Sequence, residues 1–129
     1  MNISIGKYIY TALSSIDERM KVFPVVADFN DAKPVTPFAV YQRTSAIPDY
    51  TKSLWTGETT HHYSVTVVDD KYSNTVILAQ AAIDAVIGLS YTEHEDIRFK
   101  AVMMTDLNED FVEGLFLQII QFEINTIKK

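Results

Sequence analysis

The chain has 129 residues, of which 47% are hydrophobic, 12% aromatic and 22% charged, a composition that predicts one globular domain over residues 1–129 and excludes disordered or collagen-like chains. Seventeen acidic and eleven basic side chains give a formal charge of −6, which disfavours direct binding to nucleic-acid phosphates. The absence of cysteine excludes disulfides, thiolate metal sites and cysteine nucleophiles.

The N-terminal third predicts one helix and two strands. Apolar residues recur at helical spacing over residues 4–16, which indicates an amphipathic helix. Residues 20–23 predict a short strand that Pro24 ends, because proline lacks a donor for strand pairing. Turn-forming residues over 28–37 predict a loop, and strand formers over 38–44 predict a second strand.

The middle of the chain predicts a long loop followed by a half-buried strand. Residues 45–58 show no apolar period and contain turn formers, so we expect a functional loop there. Tyr63, Val65 and Val67 alternate with polar residues over 59–68, which is typical of a strand with one buried face.

The C-terminal half predicts a helix over 73–88 and a closing hairpin. The hairpin consists of a strand from 97 to about 105, an acidic turn over 106–114 and a strand over 115–124. With the earlier elements, this order predicts an α+β fold: a mainly antiparallel sheet of about four to five strands with two helices packed on one face.

In the last strand the period of two assigns Ile120, Phe122 and Ile124 to the core. Leu117 and Ile119 fall on the opposite face, which one layer of helices does not cover. We therefore expect a further subunit or partner to cover them.

The predicted loop over 45–58 contains Tyr50, Leu54 and the single tryptophan, Trp55. Aromatic side chains in exposed loops are enriched at protein interfaces. We expect these three residues, together with Leu117 and Ile119, to form an interface with another subunit or a partner protein; the alternative is that Trp55 folds back onto the core.

Three histidines and two glutamates raise the question of a metal site: His61, His62, Glu93, His94 and Glu95. Adjacent strand residues point to opposite faces, so the first two histidines do not share a metal ion easily. We expect a solvated strand surface and assign no metal ligand.

Two groups of carboxylates lie in predicted turns: Asp69 with Asp70, and Glu109 with Asp110 and Glu113. Acidic turns are ordinarily solvated, and nothing in the sequence supplies a partner that would perturb them. The chain also lacks a glycine-rich phosphate loop and a nucleophile elbow. We predict no catalytic residue and no cofactor.

The order of segments resembles the tail-completion or tail-terminator proteins of long-tailed bacteriophages and prophages. The likeness covers nearly the whole chain and lies in short structural motifs. They are an N-terminal helix, Val22-Phe23-Pro24, Pro37-Phe38-Ala39-Val40-Tyr41, a loop through Asp49-Tyr50 and Thr56-Gly57, Tyr63 to Val67, a helix from Thr75 to Leu89, and the closing hairpin.

This resemblance implies a structural, non-enzymatic α+β subunit that forms a ring, with six copies as the expected number. Such a ring caps the tail tube, ends tail elongation and forms part of the head–tail joining interface. The implied partners are further copies of the chain, the tail-tube protein and head–tail connector proteins, while DNA passes through without specific binding. No membrane is involved, and the implied locations are the bacterial host cytoplasm during assembly and then the virion tail.

Two other classes of protein fit the residues. One is a small dimeric α+β ligand-binding module or enzyme subunit, which the mass in solution distinguishes from a ring. The other is a metal-dependent hydrolase that uses His61 or His62 with His94, which a metal analysis of the purified protein tests.

Overall fold

The computed structural model describes residues 4–27, 29, 35–52 and 54–129. Most of the loop predicted over 28–37, namely residues 28 and 30–34, lies outside this part of the chain. The observed elements follow the predicted order: α1 (Gly6–Ser14), β1 (Lys21–Pro24), β2 (Phe38–Thr51), β3 (Leu54–Asp69), α2 (Tyr72–Ile87), β4 (Ile97–Val112) and β5 (Leu115–Lys128).

The five strands form one sheet in the order β1-β2-β3-β5-β4. All neighbouring strands pair antiparallel except β1, which lies parallel to the start of β2. Both helices bury an apolar stripe in the same core, α1 through Ile9 and Leu13 and α2 mainly through Leu78, Ala82 and Val86. The predicted α+β fold is confirmed.

The core lies between the helices and one face of the sheet. Every second residue is buried over 59–67 of β3 and 118–126 of β5, and the register pairs Tyr63 with Phe122 and Val65 with Ile120. The prediction that Ile120, Phe122 and Ile124 face the core is confirmed, since each is at most 1% exposed.

The predicted loop over 45–58 was wrong. Strand β2 continues to Thr51 and β3 starts at Leu54, so these residues form a two-stranded antiparallel ribbon. Two register shifts, between Arg43 and Ser45 and between Pro48 and Tyr50, interrupt the alternation. The ribbon has no apolar period to detect, because its backbone pairing holds it together and no core lies beneath most of it.

The acidic turn predicted over 106–114 was also wrong, because β4 runs to Val112 and only Glu113 and Gly114 turn the chain. Both have positive φ, 51° and 80°, as a two-residue type I′ hairpin turn requires. A register shift between Phe99 and Val102 interrupts the alternation of β4, so that Val102 lies in the core and Met103 is exposed.

Candidate functional site

The ribbon of β2 and β3 projects beyond the rest of the sheet. β5 pairs with β3 only from Glu58 to Asp69, so the preceding residues of β3 have β2 as their only strand neighbour among the described residues. We call residues 45–58 the arm. Its tip carries Tyr50 and Leu54, which are 58% and 72% exposed, on either side of Lys52. The tip therefore presents apolar side chains to solvent.

Trp55 lies at the side of the arm and is half-buried. Its indole N–H donates to the carbonyl of Glu58 at 2.8 Å, and the Lys128 ammonium lies 6.0 Å from the ring centroid. The side chain also borders a small cavity with Thr59 and Ile97. Trp55 is thus anchored against the end of the sheet, whereas Tyr50 and Leu54 extend away from it.

Leu117 and Ile119 lie on the sheet face that the helices do not cover. They are half-buried and pair with Val68 and Thr66 of β3. Leu117 borders an apolar cavity of about 430 Å³, which we call the outer groove. Its lining consists of Val25, Val26, Ala27, Phe38, Val40, Thr66, Val68, Val112, Glu113, Leu115 and Leu117.

The predicted interface residues therefore form two surfaces at opposite ends of the sheet. Leu117 pairs with Val68, near the end of β3, whereas Leu54 is the first residue of that strand. At about 3.3 Å per residue over 14 residues, the two leucines are separated by roughly 45 Å. The arm tip and the outer groove of one copy thus cannot touch each other.

The outer edge of β4 carries its own protection against strand pairing. The backbone N–H of Leu107 donates to the Asp106 carboxylate at 2.9 Å, and that of Phe111 donates to the Asp110 carboxylate at 2.8 Å. Side chains that occupy edge amides, and charges along an edge, block the addition of a further strand. Sequence reasoning placed these acidic residues in a turn and therefore missed this role.

The β4–β5 side of the outer groove is acidic. Residues 101–127 contain no lysine or arginine. Their acidic residues are Asp106, Glu109, Asp110, Glu113 and Glu123. Glu113 borders the outer groove directly, so a ligand of this groove would meet negative charge.

The three histidines lie in different surroundings. His61 is fully buried, which corrects the expectation of a solvated strand, while His62 is half-buried on the opposite face. His94 stacks on Tyr8 with 4.0 Å between ring centroids. Among the described residues no group of three or more histidines and carboxylates is placed to hold a metal ion.

His61 is held as a neutral side chain. Its Nε2 lies 3.2 Å from the Thr126 hydroxyl, and its Nδ1 has no hydrogen-bond partner among the described residues. Burial, together with the nearby charges of Arg43 and His62, lowers the pKa of His61 from 6.5 to about 4. At neutral pH, His61 is therefore an uncharged part of the core and does not bind a proton.

The predicted carboxylate groups do not form an acid–base pair. Asp69 is buried, against the expectation of a solvated turn, and accepts hydrogen bonds from the Asn74 side chain and the backbone of Asp70. Burial alone would raise the pKa of Asp69, but these hydrogen bonds hold it below its usual value. Asp69 thereby fixes the connection from β3 to α2, where Asn74 lies in the first turn of the helix.

The described surface thus combines a projecting apolar tip with a distant apolar groove, an arrangement suited to association between protein subunits.

The fold is similar to a chain from a solved structure described as the virion of a native gene transfer agent particle. The TM-score is 0.68 at 12% sequence identity, over 99% of this chain and 100% of that chain. No protein-family model matches the sequence, and no curated protein matches it. None of the helices in the described ranges has the length and hydropathy needed to cross a membrane.

Proposed function

We propose that this protein is a structural component of a phage or prophage tail. In this proposal it caps the tail tube, ends tail elongation and forms part of the head–tail joining interface. It acts as a ring, with six copies as the expected number, bound to the tail-tube protein on one side and to head–tail connector proteins on the other. It assembles in the bacterial host cytoplasm, has no enzymatic role and becomes part of the virion tail.

The observation that carries this proposal is the full-length similarity of the fold to a chain of a virion particle. The match leaves almost no part of either chain uncovered, so it concerns the whole domain and not one shared hairpin. The order of segments that resembles tail-terminator proteins supports the same assignment from the sequence.

The charge is consistent with a ring through which DNA passes. Six copies at −6 each carry a formal charge of −36. DNA is held mainly through contacts of its phosphates with lysine and arginine, so an acidic channel would let it slide without specific binding.

The exposed surfaces favour a contact between unlike parts of neighbouring copies. An interface in which two different surfaces meet forms a closed ring when the rotation between copies closes, and an open filament when it does not. The arm tip and the outer groove are two such different surfaces, and the five residues predicted for the interface are divided between the arm and the sheet face that includes the groove.

The experiment is electron microscopy of tails assembled with Leu54→Ser. Tails with the unchanged protein should have a uniform length and join heads, while the variant should give overlong tubes or tails without heads. Trp55→Ala should have a weaker effect, because that side chain is anchored at the side of the arm.

Ile77→Ser is the matched control, because Ile77 is 66% exposed on α2, far from the arm tip. Its tails should be normal. Normal, head-joined tails made without this protein would refute the proposed function, whereas normal tails from Leu54→Ser alone would only remove the arm tip from it.

A further inference from the structure

The outer groove and the arm tip match each other in chemistry. The groove is lined mainly by aliphatic side chains, and its volume of about 430 Å³ is of the size that accepts large side chains. The tip presents two large exposed apolar side chains, Leu54 and Tyr50. Each surface leaves apolar area in contact with water that the other could cover.

The charges at the two surfaces are also complementary. Lys52 lies at the turn of the arm, between the two apolar residues of the tip. Glu113 borders the outer groove, in a segment that contains acidic but no basic residues. A tip that enters the groove therefore brings a positive charge to a negative rim, which favours this orientation.

The arm tip and the outer groove of one copy cannot cover each other. The tip and the groove lie at opposite ends of β3, roughly 45 Å apart by the rise of the strand. The competing mode of self-association, in which the edge of β4 adds a strand from a neighbour, is opposed by the Asp106 and Asp110 carboxylates on its amides. A second copy of this chain is thus the occupant that the geometry and the charges favour.

We propose that the arm tip of each copy inserts Leu54 into the outer groove of the next copy, with Lys52 beside Glu113. This contact rests on the proposed ring and specifies how its subunits join. Since each copy offers one tip and one groove, every copy contacts two neighbours, and the contacts form a ring when the rotation between copies closes.

Site-directed disulfide formation on assembled tails tests the contact, and the absence of native cysteine makes the test clean. A double variant with Leu54→Cys and Leu117→Cys should form, on mild oxidation, a ladder of covalent multimers that ends at the subunit number of the ring. A mixture of the two single variants should give covalent dimers only. The distance within one copy rules out an intramolecular bond.

Leu54→Cys combined with Ile77→Cys is the control and should give no ladder. If Leu117→Cys impairs folding, Val112→Cys at the exposed rim of the groove replaces it. Lys52→Glu should lower the crosslinking yield roughly two- to fivefold, and adding Glu113→Lys should restore it.

Tails that carry rings without forming the ladder would overturn this contact and leave the proposed function standing. A ladder of equal yield in the control would overturn it as well, because the crosslinks would then reflect random collision. If head-joined tails of normal length do not contain this chain, that result would instead contradict the proposed function.

Discussion

A protonation experiment on His61 tests whether the core is packed as the structure shows. His61 is fully buried on β3, between Ala46 of β2 and Ile124 of β5 in the sheet. Its pKa is lowered from 6.5 to about 4, so the folded protein takes up the proton at lower pH than the unfolded chain does. Folding is therefore linked to the neutral imidazole.

The sign and the range of the effect follow from this linkage. Between about pH 4 and pH 6.5 the unfolded chain binds more protons at this position than the folded protein, so stability rises with pH. The contribution is fully present above pH 6.5 and is lost as the pH falls towards 4. Each pKa unit corresponds to about 1.4 kcal/mol, so the shift from 6.5 to about 4 gives an upper limit of about 3.5 kcal/mol for His61.

The assay is urea unfolding at several pH values between 4 and 7, with the unchanged protein compared with His61→Phe. The variant removes the titrating group and should flatten the dependence of the unfolding free energy on pH in this range. His94→Phe is the control, because His94 stacks on Tyr8 and is not among the groups that shift the pKa of His61. A pH dependence that is identical in the unchanged protein and in His61→Phe would refute the reasoning.

Two further predictions concern the core and the edge of the sheet. Phe122→Ala removes a side chain that is 1% exposed and should lower the unfolding free energy by about 3–5 kcal/mol, while Phe111→Ala, at a position 57% exposed, should cost less than about 1 kcal/mol. Equal losses in urea unfolding would contradict the assigned burial. Asp106→Ala with Asp110→Ala should free two edge amides and promote association in light scattering, whereas the corresponding double Asn variant keeps an acceptor beside each amide. Equal association of the two double variants would show that charge alone protects the edge.

The sequence predicted the fold where one face of an element is buried. Tyr63, Val65 and Val67 identified β3, and Ile120 with Phe122 identified the inward face of β5, because burial on one side imposes the period of two. The apolar spacing of the helices carried the same kind of information. These elements needed no tertiary contact to be recognised.

Prediction failed where strands extend beyond the core. Residues 45–58 and 106–112 pair through their backbones, while most of their side chains are exposed on both faces, so composition alone resembles a loop. Bulges add to the difficulty, as between Phe99 and Val102, because one extra residue reverses the facing of everything that follows.

The interface residues were predicted from their apolar character, without knowledge of where each lies in the sheet. Excess apolar surface does follow from the composition, but the sequence does not reveal that Tyr50 and Leu54 lie at one end of the sheet and Leu117 at the other. The burial of His61 was missed because its neighbours in sequence are polar or aromatic, and only the pairing of β3 with β5 brings Thr126 within reach.

The β4–β5 hairpin and the β2–β3 arm have different roles in the proposed contact between copies. The β4–β5 hairpin has a long outer edge, and unprotected edges of this kind invite open-ended strand addition. Its Asp106 and Asp110 oppose that outcome, and Glu113 of the same hairpin leaves a negative rim on the outer groove. The acidic residues therefore disfavour strand addition along the edge, and in the proposed contact Glu113 lies beside Lys52 at the apex of a neighbouring arm. In the proposed contact the tip of the β2–β3 arm, at the far end of the sheet, meets this groove in the next copy, so neighbouring copies join head to tail, and this arrangement forms a ring when the rotation between copies closes.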